Sequence, residues 1–341
     1  MERSHSRPPS ITDVAELASV SYQTVSRVLH NHPSVRESTR VRVLGAIEQL
    51  GYRPNNAARA LVTGRSRTLG VLALDVADWA GLTPLYGIER TARAAGYFVS
   101  IGSLDAVDRT SVRQAVDRLA EQGMAGLLVI APIENASDAL TVLPSDLPVV
   151  AIEGDPESQV ATVTTDQTSG ARAATEHLLE LGHETVFHVV GPRDWMQTQE
   201  RIAGWRAALE AAGAEVTMPL SGDWSAQSGY EVGRMLARIP ELTAVFVGND
   251  QMALGLLRAL RERGLSVPED VSVVGFDDVP ESPYYDPPLT TVRQDFQEVG
   301  RQGLELLLDQ IEAGSRSVER RVIGCELVVR SSTGPAKARG R

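Results

Sequence analysis

The sequence predicts an α/β protein, with a small three-helix head of helix-turn-helix type, a linker, and a two-lobed core on parallel sheets. Three observations predict it. Charge is divided unevenly along the chain. Residues 10–51 read as three short helices, the second of them polar on its outer face. From Thr68 onward, apolar runs alternate with helical stretches in two successive series.

The chain has 341 residues, which suits a small head and a two-lobed core. A hydrophobic fraction of 43 % is enough for a core in each lobe, and with aromatics at only 5 % every Trp and Phe is worth placing. The net charge of −11 argues against general nucleic-acid binding, so its distribution matters more than the sum. Residues 1–67 carry ten Arg against five acids, a net +5 that leaves −16 for the remainder. A basic module joined to an acidic core is the footprint of a nucleic-acid-binding head on a soluble domain. Cys325 is the only cysteine, which excludes an intramolecular disulfide and a Cys-based zinc site and fits the cytosol. The opening MERSHSRPPS lacks the apolar region of a signal peptide, and no run is as long as a membrane span. The expectation is a cytoplasmic protein without a membrane partner, cofactor or metal.

In the head, Ile11, Val14, Ala15 and Ala18 form an apolar helical stripe. Ser10 precedes it as an N-cap, with Asp13 in a capping-box position. After a break at 18–21, Ser21 opens a second helix with Val25, Val28 and Leu29 inward and Tyr22, Gln23, Ser26 and Arg27 outward. A third helix places Val43, Ile47 and Leu50 inward and stops at Gly51. A polar second helix after a tight turn suits the major groove, where Gln pairs with adenine and Arg with guanine. An ordinary bundle with a solvated face fits the pattern about equally well. The linker begins at Arg53-Pro54, and the helix-favouring stretch 56–61 is too short to be stable alone.

The core runs LGVLALD, YFVSIG, GLLVIA and VVAIEG, then TVFHVVG, AVFVGND and VSVVGFDD, with helices between. Ligands of open α/β sheets bind beyond the strands' carboxyl ends, so residues just after these runs should line a cleft. Glu153, Asn249 and Asp277 stand there. Asp250 suits an N-cap of the following helix, which leaves Asn249 and Asp277 for a ligand. Carboxylates and amides bind vicinal hydroxyls of a sugar, and Trp224 or Phe296 could cover its apolar face or simply fill the core.

The residues themselves go further. ITDVAELASVSYQTVSRVL and VRESTRVRVLGAIEQLGYRPNNAARAL resemble the head of the LacI/GalR family of bacterial transcriptional repressors. RIAGW, GDWSAQSGY, NDQMALG, VVGFDD and PPLTTVRQDF resemble that family's core, most closely its lac branch. The resemblance implies a periplasmic-binding-protein-like core and DNA contacts by Ser21, Tyr22, Gln23, Thr24, Ser26 and Arg27. It also implies a hinge helix at 53–67, with Asn55, Ala58 and Leu61 at the minor groove and Leu61 as the wedge that kinks the duplex. Carried over by position, Arg201, Trp224, Asn249, Asp277, Gln294 and Phe296 match sugar-contacting residues. Glu153, Thr165 and Gln197 stand where the lac branch has Asp, Phe and Ser. Glu153 and Gln197 join the expected ligand set, and the departures leave the sugar open, a galactoside or related sugar being first choice.

The implied organisation is a head at 1–52, the hinge and linker at 53–67, the core at 68–334 and a disordered tail at 335–341. One lobe takes about 68–165 and 296–323, the other about 166–292 and 324–334. The implied partners are double-stranded operator DNA, a small sugar effector and a second copy in a homodimer; the tail shows no leucine heptad for a tetramer. Two alternatives are a relative whose co-repressor tightens DNA binding, and a sugar-binding protein without regulation. An enzyme is disfavoured, since G-x-G-x-x-G after the first strand, G-x-S-x-G, G-K-[ST] and H-E-x-x-H are all missing.

Overall fold

The computed structural model describes residues 9–29, 32–52, 66–74, 79–104, 108–130, 136–155 and 158–337. It divides into two compact units, Met1–Ser66 and Arg67–Arg341. The expected hinge residues Asn55, Ala58 and Leu61 lie outside the described residues.

The first unit holds α1 (Ile11–Leu17), α2 (Tyr22–Leu29) and α3 (Glu37–Leu50). Ser10 and Asp13 form a reciprocal capping box at the start of α1. The turn to α2 passes through Ser19 at φ +51°, and α3 ends at Gly51 with φ +62°, a left-handed position suited to glycine. Val14, Ala15, Ala18, Val25, Val28, Val43 and Ala46 make its small core.

The second unit has two six-stranded sheets. The first contains β1 (Thr68–Leu74), β2 (Phe98–Leu104), β3 (Met124–Ile130), β4 (Val149–Ile152), β5 (Ala161–Thr165) and β11 (Arg320–Ile323), in the order β11-β5-β4-β3-β1-β2. All its pairings are parallel. Because side chains alternate across a strand, Leu127 and Val129 face α5 (Arg109–Glu121), while Leu128 and Ile130 face α4 (Trp79–Ala94) and α11 (Phe296–Ala313). A short α6 (Ala136–Leu140) follows β3.

The second sheet repeats this plan with β6 (Phe187–Val190), β7 (Leu220–Ser221), β8 (Ala244–Val247), β9 (Ser272–Asp277), β10 (Thr290–Gln294) and β12 (Cys325–Val328), in the order β12-β10-β9-β8-β6-β7. Val245 and Val247 face α9 (Ala226–Leu236) and α10 (Asp250–Glu262). Phe246 and Val274 face α7 (Gln167–Glu180) and α8 (Met196–Ala212).

Three expectations need correction. The sheets are not wholly parallel, since β12 returns antiparallel to β10. The tail is ordered through Lys337, because the Ala336 amide donates to Leu181 O at 2.9 Å and Lys337 Nζ reaches Asp270 at 2.6 Å. The cap of α10 is Asn249, at φ −151°, and not Asp250. Asp250 is buried and accepts from the Val279 amide and from the hydroxyls of Ser282 and Thr291, tying α10 to the segments after β9 and in β10.

The chain passes between the sheets at 165–167, 294–296 and 323–325. Strand ends of both lobes are thereby joined by short connections.

Candidate functional site

In the head, Tyr22, Gln23 and Arg27 are exposed on one side of α2, opposite buried Val25 and Val28. Ser21 accepts from the Thr24 amide at 3.2 Å and caps the helix start, so its hydroxyl first serves the fold. Thr24 Oγ1 lies 2.9 Å from Ser21 Oγ, and Ser26 is half-buried. Gln23 has no packing duty that its exposure reveals. Gln23→Ala should therefore leave stability unchanged and, if Gln23 reads a base edge as the resemblance implies, relax base preference at one half-site position, costing about 1–3 kcal/mol there. Binding selection on randomised operators would read it. Unchanged selectivity would remove Gln23 from the interface.

In the core, the strand ends bring charged and amide side chains together. Arg201, on α8, is buried at 5 % exposure. Its Nε donates to Gln167 Oε1 at 2.9 Å, Nη1 donates to Gly248 O, and Nη2 lies 3.5 Å from Asp277 Oδ1. The guanidinium stands over the Phe276 ring, 3.9 Å from its centroid, and 5.4 Å from that of Trp224. Gln294, the last residue of β10, donates to Asp277 Oδ1 at 2.6 Å. Thr165, ending β5, lies 3.0 Å from Glu153 Oε1 and 2.9 Å from Gln294 Oε1. Gln167 Nε2 donates to Gln294 Oε1 at 2.7 Å and also to Thr165 Oγ1. One continuous polar network thus runs from Glu153 in the first lobe to Arg201 and Gly248 in the second.

Burial decides the electrostatics. It pushes the Glu153 carboxyl up to about 7, with the like charge of Glu200 adding and the Thr165 bonds and Arg201 opposing. Burial also lowers Arg201, and Asp277 is the chief group holding it charged. Backbone strain collects in the same place, since Glu153, Trp224, Asp277 and Asp278 adopt φ values of +53°, +72°, +105° and +51°. The Trp224 ring lies flush on Gly191, where an added Cβ would meet it at 2.1 Å. Trp195 packs edge-on against it at 5.6 Å.

The network brings together four of the expected ligand residues, Glu153, Arg201, Asp277 and Gln294, with Trp224 beside them. Asn249 is adjacent, and its amide caps α10 by accepting from Met252 N at 2.9 Å and donates one hydrogen to Trp224 O at 3.0 Å. Gln197 and Phe296 are buried, Gln197 with an Oε1 that finds no partner among the described residues. Sequence reasoning missed Gln167 and Phe276. The signal for Gln167 was its place just after β5, a Thr-rich strand without an apolar run.

Two family models match the chain: bacterial regulatory proteins of the lacI family at residues 10–55, and a periplasmic binding protein-like domain at 175–333. The lactose operon repressor of Escherichia coli K12 is 34 % identical over 330 residues, spanning 96 % of this chain and 91 % of that protein. The chain belongs to the LacI family. Another member, the transcriptional regulator CelR of Thermobifida fusca, is 35 % identical over 343 residues, covering 96 % of this chain and 98 % of its own. Among solved LacI-family structures, the lac repressor dimer bound to operator and the anti-inducer ONPF is similar at a TM-score of 0.86 and 33 % identity, over 96 % of this chain and all of that one. A CelR–cellobiose complex is similar at a TM-score of 0.71 and 32 % identity, over 95 % and 99 %. These relatives are transcriptional regulators. Among the described residues no helix is long and apolar enough to cross a membrane, and no acid, His or Cys cluster could hold a metal.

Proposed function

We propose that the protein is a sequence-specific transcriptional repressor whose operator affinity falls when a small sugar enters the core site. The observation that carries this is the buried network itself. It offers amides, carboxyls and a guanidinium beside an aromatic ring, at strand ends where α/β folds bind ligands. Gln197 Oε1, Thr198 Oγ1 and Trp224 Nε1 are buried without a partner among the described residues, an acceptor, a hydroxyl and a donor that sugar hydroxyls could satisfy. We place Tyr22, Gln23 and Arg27 at base edges, with Ser21, Thr24 and Ser26 beside them, and Asn55, Ala58 and Leu61 at the minor groove. We place Glu153, Gln197, Arg201, Trp224, Asn249, Asp277, Gln294 and Phe296 around the sugar. The working unit is a cytoplasmic homodimer on a pseudo-palindromic operator, with heads at 1–52, hinges at 53–67 and cores at 68–334.

The sugar acts only by favouring one lobe arrangement over the other. A gel-shift assay on the selected operator, with galactosides, cellobiose and other sugars added in turn, tests this. At least one sugar should release the DNA. Tightening instead of release would make the ligand a co-repressor. Operator binding that no sugar changes would count against the sugar reading.

A further inference from the structure

The core network constrains which atom carries each hydrogen. Arg201 donates from Nε and cannot accept, so the Gln167 atom 2.9 Å away is its oxygen. Gln167 Nε2 therefore faces Thr165 and Gln294. Gln294 is fixed likewise, because flipping its amide would set two oxygens face to face 2.6 Å apart at Asp277. Its Oε1 must then point at Thr165 Oγ1, 2.9 Å away. Thr165 Oγ1 receives a hydrogen from Gln167 and has two further oxygen neighbours, Gln294 Oε1 at 2.9 Å and Glu153 Oε1 at 3.0 Å. A hydroxyl has one hydrogen to give. An amide oxygen has none, so a hydrogen in both contacts requires one from Glu153.

We propose that Glu153 is held as a neutral carboxylic acid that donates to Thr165, and that it meets an effector hydroxyl as a hydrogen-bond donor. Thr165 then donates to Gln294, and every close contact in the network has one hydrogen. Glu153 keeps the Thr165 backbone amide on the same oxygen at 3.0 Å, which an acid can still accept.

The surroundings agree. Glu153 is 7 % exposed, and burial is the largest influence raising its carboxyl. Among the described residues the charged or titratable groups acting on it are Glu200 and Arg201 from α8 and Cys325 from β12. Glu200 is itself raised to about 7, and burial pushes the Cys325 thiol up to about 12. An effector oxygen that accepts from Glu153 is bound with the proton in place, so its affinity falls as pH rises through the acid's titration. That consequence rests on the repressor reading above; the protonation does not.

The test uses no effector, so its failure is separable from failure of that reading. Thermal unfolding of the full-length protein is compared with Glu153→Gln from about pH 5 to 8.5. The amide keeps the shape and, with its NH2 toward Thr165 Oγ1, keeps that donor, while giving up the acceptor for the Thr165 backbone amide, a loss that is the same at every pH. A carboxyl raised from 4.5 to about 7 binds its proton more tightly in the native state, so the wild type loses stability as pH climbs through that interval. Whatever the offset near pH 5, the difference should move in favour of Glu153→Gln by about 5 °C by pH 8.5. A constant gap, or one that moves in favour of the wild type, overturns the proposal. If the amide variant fails to fold, carbon-13 NMR of glutamate carboxyls in Glu200→Gln protein decides. One carboxyl should titrate above pH ~6, and none doing so overturns it.

Discussion

Lysine in place of Arg201 should leave a protein that holds its operator and no longer answers its effector. Arg201 has two duties in the structure. Its charge faces Asp277 at 3.5 Å where both side chains are buried, and its planar fork reaches Gln167 and Gly248 while lying over Phe276. Arg201→Ala removes both duties. It strands the Asp277 carboxylate and should cost about 3–5 kcal/mol of stability, so loss of function there would not separate ligand contact from folding. Arg201→Lys keeps the charge and drops the fork. Stability should largely survive, while effector affinity falls about 100-fold or more, roughly 3 kcal/mol of charge-assisted hydrogen bonding. Chemical unfolding, gel shift and calorimetry with the sugar found active would read the three quantities. A lysine variant induced like the wild type would move the pocket elsewhere. One that unfolds like the alanine variant would make Arg201 a structural residue.

Deleting residues 1–66 should abolish operator binding and leave the core folded and able to bind effector. The head's core draws on residues from Ile11 to Tyr52, and none of the four core clusters contains a head residue. The specific complex of such proteins exceeds non-specific binding by about 10³–10⁷-fold, and the acidic remainder carries nothing to replace it. Fluorescence polarisation with labelled operator and a thermal-shift assay with the active sugar would follow both properties. Operator affinity kept by the shortened protein would place recognition in the core.

Much of this was legible because parallel strands buried on both faces read as apolar runs. GLLVIA and AVFVGND announce themselves. ATVTT, TTVRQ, RRVI and CELV do not, although they form β5, β10, β11 and β12. The burial of β5 and β10 comes from neighbours distant in the chain, which no local pattern encodes, while β11 and β12 are edge strands without a buried residue. Gln167 was lost with β5. Asn249 and Asp250 show a different limit. Both suit an N-cap, and a one-residue difference in where α10 starts exchanges their roles. The end of β8 settles it, holding Asn249 extended and carrying Asp250 inward to Ser282 and Thr291. Arg201 and Asp277 were legible as polar residues by family position, but Phe276 under the guanidinium looked like ordinary core.

The interleaved lobes also have a history, the order in which a ribosome makes them. The first sheet's strands up to Thr165 emerge early, yet their far face is closed by α11, through Val299, Leu304, Leu306 and Leu307. Gln310 then ties off β4 by bonding both the amide and the carbonyl of Val149. Those residues are translated only after the whole second sheet except β12. At bacterial elongation rates, Leu128, Ile130, Val150 and Ile152 wait on the order of ten seconds with that side covered only in part, by α4. The first lobe begun is thus completed late, and a ribosome stalled in the second lobe displays an unfinished apolar sheet to whatever is nearby.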